Sequence, residues 1–531
     1  MQRTMSKALT VAAALAVMVT AACTDTTVQP KSSVTSANIF NDPNAYQELL
    51  ARVYAGLAVS GQQGPAGNAD IQGIDEGFSQ YLRLYWEMEE LPTDAAVIGW
   101  TDIGLPEMNT QTWTSSSTMV VAMYYRVMFQ VTMANEFLRQ STDAAVAARG
   151  QTDPTLLANI KQYRAEARFL RALAYWHGLD LFGSIPLVTE NDPLGVAPSN
   201  QAPRDSLFRF AVRELHAIQG DLPTFVPGHS AVYGRATDAA DHFLLAEMYL
   251  NAESYGLSPR YDSALTEAQA VIGSGATLDP NFQHLFQADN DNSPEIIFPI
   301  IEDGNFTQSY GGVTFLMHAG CGGNMNAANY GIDYCWGGTR MKPEIYNLFS
   351  PGDARGAFIY TSGQKSTVDT ITNFNDGYAA PKFTNITSGG AQGSNPTFVD
   401  TDFPMFRLGE AYLIAAEAML RGGGGSQAQA EADVNLLRAR AGVANVPAGT
   451  MTLDTILAER GRELLWEAHR RTDLVRFGLF TGGTYLWSWK GEQPVVGGSP
   501  VGKATDSYRN LYPLPATELI ANPNLKQNPG Y

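Results

Sequence analysis

The stretch Tyr163–Val188, YRAEARFLRALAYWHGLDLFGSIPLV, constrains the fold more than any other part of the chain. Arg164, Arg168 and Arg171 recur at helical spacing and form one basic stripe. Tyr163, Ala167, Leu170 and Ala174 share another face, the one expected to pack inward. Ala172 stands three residues before Tyr175, so a small side chain admits a neighbouring helix on one turn and an aromatic fills the next. Gly183 can adopt the left-handed backbone that ends a helix, and Pro186 prevents its resumption. The pattern predicts a long amphipathic helix, a hard stop, and a short extended piece over Ile185–Val188.

The small-residue/aromatic relation returns at Ala246 and Tyr249, inside Ala236–Gly273, which reads as a helical hairpin. Its second half carries Tyr261, Ala264, Ala268 and Val271 at the spacing of a tetratricopeptide second helix. A third copy begins at Arg407 in RLGEAYLIAAEAML, with Ala428–Gly442 as partner across Gly422–Gly425. Asn41–Val59 and Met119–Gln140 have helical spacing as well. These hairpins lie far apart, so the helical scaffold is discontinuous in sequence. With no competing boundary, residues 40–531 read as one large domain, an N-terminal part to about 300 and a C-terminal part from about 301.

Among the 531 residues acids outnumber bases, for a formal charge of −18. Such a surface disfavours nucleic acid, whose phosphates need clustered Lys and Arg. Arg3 and Lys7 precede the apolar run Ala8–Ala22, which is too short to span a bilayer and has the layout of a secretory signal covering residues 1–22. It ends in Thr20-Ala21-Ala22-Cys23, which resembles the lipobox of bacterial lipoproteins, with Cys23 cleaved and acylated. Thr20 stands where that motif usually has Leu. Residues 23–39, rich in Thr, Ser, Val, Gln and Pro, then read as a tether. Cys321 and Cys335 remain, an even pair for an oxidising compartment, and a disulfide closing so short a loop contributes about 3 kcal/mol. Two free buried thiols are the alternative. No CxxC, HxxxH or HxH spacing marks a metal site, and no cofactor motif is present.

Catalytic motifs are equally missing: GxSxG, HExxH and a strand-borne GxGxxG do not occur. Gly497–Ala504 nearly spells a phosphate loop, but Ala504 lacks the hydroxyl that holds magnesium. In the polar helix expected over Ile456–Phe477, Glu459, Glu463, Glu467 and Arg471 are spaced by four, and Arg470, Asp473 and Arg476 form a second row. That pattern reads as an ion network bracing the scaffold rather than a clamp for a ligand. Gly304–Gly338 differs. It carries Phe306, Tyr310, Phe315, Tyr330, Tyr334 and Trp336 with Asn305, Asn324, Asn326 and Asn329, and shows neither helical nor alternating period. Aromatic faces and amides on irregular loops are what sugar recognition requires.

Ala165–Val188 closely resembles the signature helix of the SusD/RagB family of outer-membrane nutrient-uptake lipoproteins. Further segments follow in that family's order: Glu90–Asp94, Trp100, Thr112-Trp113-Thr114, Ser293–Phe298, GRELLWEAHRRTDLVRFG at Gly461–Gly478 and the C-terminal LYPLPATELIANPNLKQNPGY. The resemblance implies a mainly α fold, tetratricopeptide-like hairpins in a right-handed superhelical scaffold with long irregular ligand-binding loops. It implies a surface lipoprotein, not an enzyme, that captures an oligosaccharide or other oligomeric nutrient for a SusC-like TonB-dependent transporter. Carried over residue by residue, it points to Asp94, Trp100, Tyr334 and Trp336, then Asp102, Tyr310 and Asn329, as ligand contacts. A tetratricopeptide-like helical-repeat lipoprotein that binds peptide or protein and takes no part in uptake, and a surface glycoside hydrolase, stay as alternatives. Cys23→Ala is expected to release the protein from the outer-membrane fraction into the medium; unchanged membrane partition by fractionation would contradict lipid anchoring at Cys23.

Overall fold

Asp153 accepts a hydrogen bond from the Leu156 amide and Pro154 fills the first turn, so the signature helix starts earlier than its pattern, at Pro154, and runs to Phe182. Gly183, at φ +75°, ends it. From Ala165 to Phe182 every residue except the half-buried Arg168 is buried. The expected amphipathic stripe is therefore confined to the N-terminal part; the rest is a core helix. Helices Thr118–Gln140 and Arg204–Ile218 pack on it. Gly178 permits the approach of the following extended piece, because a Cβ there would sit 2.4 Å from Ile185 Cδ1. The Tyr175 hydroxyl then pins that piece, bonded to both the amide and the carbonyl of Val188 at 2.7 Å. The arginines act as braces: Arg168 pairs with Glu214, and Arg171 with Glu214, Glu190 and Asn135.

This computed structural model describes residues 39–65, 67–193, 199–492, 495–496 and 499–531. The signal segment 1–22, Cys23, the tether to residue 38 and part of Gly497–Ala504 lie outside the described residues. The chain divides into two units, 1–45 and 46–531. The described part of the first carries the turn Ile39–Asn41; the second carries the hairpins, the strands and the loops between them.

The hairpins form where the periodicity places them, as Asp238–Leu250 with Tyr261–Ile272 and Leu408–Leu420 with Gln427–Arg440. They pack on one another, and a Cβ at Gly423 would fall 2.3 Å from the Tyr261 carbonyl. Strands are few and short. Ile296–Ile300 pairs antiparallel with Phe403–Arg407, and Ala96–Ile98 with Thr339–Met341.

The charged segment departs from expectation. Instead of one helix over Ile456–Phe477 there are two, Leu453–Glu463 and Arg470–Arg476. Between them Trp466 and Ala468 take positive φ, costly for non-glycine residues and held by tertiary contacts. The Trp466 carbonyl accepts from Trp86 Nε1 at 3.0 Å, its indole lies edge-on to Trp86 at 5.6 Å, and the Ala468 amide donates to Glu90 at 2.9 Å.

Breaking the helix lets its acids converge on arginines from elsewhere. Arg407, almost fully buried, reaches Glu295 (2.9 Å), Glu463 (2.8 Å) and Glu467 (2.6 Å). Arg355 joins Glu459 at 2.6 Å and Glu463 at 3.3 Å, and Arg440 closes the group on Glu295 and Glu463. Burial alone would raise the Glu463 carboxyl, but Arg440, Arg407 and Arg355 outweigh it and hold it well below the ordinary carboxylate range. On the second helix Arg476 pairs with Glu417 and Arg471 with Asp180 and Glu89. The expected ion network is thus present and buried.

Glu90 titrates the other way. Burial, then the neighbouring charge of Glu89, raises it from 4.5 to about 8. Between those values the unfolded chain has lost a proton that the folded chain keeps, so the folded state loses stability as pH rises. Glu90→Gln removes this titration. Its stability relative to the parent should improve from pH 5 to pH 8, by at most about 1.4 kcal/mol per pH unit, as read by calorimetric unfolding; a constant difference across that range would contradict the assignment.

Candidate functional site

Two segments far apart in sequence meet through the ribbon Ala96–Ile98/Thr339–Met341, in which Val97 faces Arg340. The Gly99 amide continues it to the Gly338 carbonyl at 3.0 Å. That pairing sets Trp100 beside Trp336. Gly338 is required there, since a Cβ would lie 2.8 Å from the Trp100 ring. The second segment is fixed from behind: the amides of Trp336, Gly337 and Gly338 donate to the carbonyls of His318, Cys321 and Ala319 at 2.7–2.8 Å. Cys321 and Cys335 are joined as a disulfide with Cα atoms 4.8 Å apart.

Buried Arg340 locks a third loop onto the first two. It donates to the carbonyls of Gly338 (2.7 Å), Asp376 (3.1 Å), Asn373 (3.1 Å) and Ile371. Burial lowers its pKa to about 10, so it remains a cation at neutral pH.

The resulting surface is a cluster of tilted rings. Trp336 sits centrally, 6.2 Å from Trp100 at 45°, 6.3 Å from Tyr310 at 51° and 6.3 Å from Tyr334 at 50°. His318 stacks beneath Trp336 at 4.5 Å and 21°, its ring nitrogens 2.7 and 3.0 Å from the Tyr334 and Thr397 carbonyls. Burial lowers its pKa, against the two carbonyls that favour its protonated form. Phe315 lies under Trp100 at 5.8 Å, and Phe398 backs Tyr310 at 5.2 Å. The Arg83 guanidinium underlies the whole edge, 3.9 Å from Phe78, 4.2 Å from Phe315 and 5.7 Å from Trp100. It is paired with Glu87 at 2.9 Å. Tyr334 is 54% exposed and Tyr310 36%, while Trp100 and Trp336 are half-buried, so all four rings keep part of their surface in solvent over a packed base.

The structure therefore brings Trp100, Tyr310, Tyr334 and Trp336 together. Asp102 is exposed two residues beyond Trp100, at the edge of the same loop. Asn329 is exposed on the turn Ala327–Tyr330 and takes no part in the ring-to-ring contacts. Asp94 does not belong to this surface. It is fully buried, its two oxygens bound by Arg470 at 2.7 and 2.6 Å and by the Tyr485 hydroxyl at 2.6 Å. Burial works against its ionisation, but Arg470 prevails and lowers its pKa. Its expected role as a ligand contact is corrected to that of an internal anchor. Gly304–Gly338 is also less irregular than its sequence indicates: Gly312–Ala319 is a buried helix, and Phe315 on it is core rather than surface.

Arg83, His318 and Phe398 escaped the sequence reading. Arg83 looks like any charge on a helix flank, and His318 and Phe398 carry no local signal; only the ribbon pairing assembles them. Among the described residues one group could offer three metal ligands within 4.8 Å of one another, Glu247, Glu410 and His469. All three are buried, and Arg460 already occupies Glu410 at 2.9 Å, so this is an ion-pair cluster.

The starch-binding protein SusD of Bacteroides thetaiotaomicron is 34% identical to this chain, over 91% of it and 92% of the relative. This chain belongs to the SusD family. The family model matches residues 356–531 directly. SusD-like protein P2 of Formosa agariphila is 29% identical over 69% of this chain and 74% of its own. In three dimensions the fold is that of surface glycan-binding protein A from B. thetaiotaomicron, with a TM-score of 0.71 at 22% identity, covering 93% of this chain and 100% of the other. The mainly helical architecture is thus that of SusD proteins.

Asp94→Asn is expected to cost about 3–5 kcal/mol, the range for breaking a buried ion pair, with any loss of affinity for a ligand on the rings following from that loss of stability. Thermal unfolding and titration calorimetry read the two effects separately; lost binding at unaltered stability would return Asp94 to the binding surface.

Proposed function

We propose that this SusD-family chain is a cell-surface, lipid-anchored oligosaccharide-binding protein that hands its ligand to a SusC-like TonB-dependent outer-membrane transporter. It is a binder, not a hydrolase. The observation that carries this reading is the ring cluster itself. Aromatic faces stack on the apolar faces of pyranose rings, and here three neighbouring rings each tilt by about 45–51° from Trp336. A surface turned in this way follows a curved glycan better than a flat ribbon, whose sugars need coplanar platforms. A helical α-linked glucan has that curvature, and a starch-binding protein stands among the relatives. A solved neighbour of the same fold, surface glycan-binding protein A, carries laminarihexaose.

The backing matters as much as the faces. Trp336 is held by His318 and by the disulfide-closed segment, and Trp100 by Gly338 and Phe315, so little side-chain entropy remains to be lost on binding. Titration calorimetry with maltoheptaose tests the proposal. Trp336→Ala and Trp100→Ala are each expected to weaken binding about tenfold or more, equivalent to about 1.4 kcal/mol. Trp113→Phe, in the core, leaves it unchanged. Full binding by Trp336→Ala, or no binding of any glucan by the parent protein, would overturn the assignment.

A further inference from the structure

A cavity of about 340 Å³ shares no residue with the ring cluster or its supports. Asp180, Arg204, Tyr255, Tyr508, Asn510 and Asn528 provide its polar lining. Arg204 is the unusual member. It opens the helix Arg204–Ile218, its guanidinium lies 5.4 Å from the Tyr255 ring, and it has no hydrogen bond or ion pair with any described residue. Its Nε is buried without a partner. An isolated half-buried guanidinium is costly unless something supplies the missing acceptor. Burial lowers its pKa, yet an arginine keeps its charge at neutral pH.

The other groups show what that acceptor belongs to. Asp180 is paired with Arg471 at 2.6 Å, which also meets Glu89 at 3.1 Å, and accepts from Thr472 at 3.0 Å, so the Asp180 oxygens are engaged while the donors of Arg204 are unspent. Tyr255 accepts from Trp176 Nε1 at 3.0 Å and keeps its own proton to donate. Asn528 spends its amide hydrogens on the Phe182 and Tyr512 carbonyls (2.8 and 2.7 Å), which leaves Oδ1 as an acceptor. Asn510 accepts from Thr481 through Oδ1 at 3.0 Å, which leaves Nδ2 as a donor. Val475, Leu511 and the Tyr508 ring add apolar wall. With the Asp180 carboxylate engaged by Arg471, one cation with unspent donors, several neutral donors and acceptors and a partly apolar face match a small polyol that bears one negative charge. The volume lies at the lower end of ligand pockets, about 300–1,000 Å³, enough for one sugar ring.

We propose that this cavity is a second saccharide site, specific for a carboxylate-bearing pyranose (a hexuronate unit), with Arg204 binding the carboxylate and the Asn and Tyr groups the hydroxyls. The site adds charge selection that the ring cluster, built of uncharged faces, does not supply. It stands whether or not the rings bind a glucan.

The test is titration calorimetry of the whole protein with glucuronate and, separately, glucose. Saturable glucuronate binding, with glucose weaker by about tenfold or more, is the expected result. Arg204→Gln should weaken glucuronate by about tenfold or more while Trp336→Ala leaves it unchanged. Because Arg204 has no hydrogen bond or ion pair to lose, only its contact with the Tyr255 ring, Arg204→Gln should fold with a melting temperature close to the parent's. Ser507→Trp, an exposed lining residue, blocks the cavity without touching the core and should abolish binding independently. Glucuronate heats that are absent, equal to those of glucose, unaffected by Arg204→Gln and Ser507→Trp, or lost in Trp336→Ala would each overturn the proposal.

Discussion

The buried ion pairs between the interrupted charged segment and the rest of the chain are the constraint that fixes this architecture. Arg407 holds Glu295, Glu463 and Glu467, and Arg470 holds Asp94. Pairs of this kind are poor sources of net stability, because desolvation offsets most of their attraction. Their value is positional. A guanidinium with several carboxylates around it tolerates one arrangement, and an error of register strands a charge in a dry interior. The network ties strand Phe403–Arg407, helix Leu453–Glu463 and the segment after Glu90 into a single frame.

The ring cluster follows from that frame. Asp94 and Lys342, which donates to the Thr93 carbonyl at 2.6 Å, fix the start of one ribbon strand and the residue just past the other. The ribbon brings Trp100 and Trp336 within reach, the Cys321–Cys335 bridge closes the second loop, and Arg340 attaches a third through its carbonyls. Exposed aromatics on floppy loops would collapse onto one another. Here each is backed by a buried partner, His318, Phe315 or Phe398, so the faces stay presented.

Much of this was legible in the sequence, for identifiable reasons. Local periodicity places the hairpins, because helical spacing and small-residue positions are short-range signals. Glycines and aromatics mark Gly304–Gly338 as a surface where rings gather. The misreadings have one origin: burial and pairing are long-range. Asp94 stands in a polar run and looks available, yet Arg470, 376 residues on, claims it. The Ile456–Phe477 pattern suits one helix, but Trp86 and Glu90 bind the backbone at Trp466 and Ala468 and break it. The signature helix shows an apolar stripe and is nonetheless buried from Ala165 on at every residue but Arg168, because packing partners arrive from 118–140, 204–218 and the C-terminal segment, where the Tyr512 amide donates to the Leu181 carbonyl at 2.8 Å. Arg83, His318 and Phe398 gain their roles only when distant segments meet.

Whether the tilted rings around Trp336 form a pre-built platform for a curved glycan is decided by a crystal structure with maltoheptaose. Pyranose rings are expected to stack on Trp100, Trp336 and a tyrosine, with the aromatic side chains little changed from the positions described. A glucan bound elsewhere, or a cluster that must open and rearrange to admit it, would refute a pre-built platform.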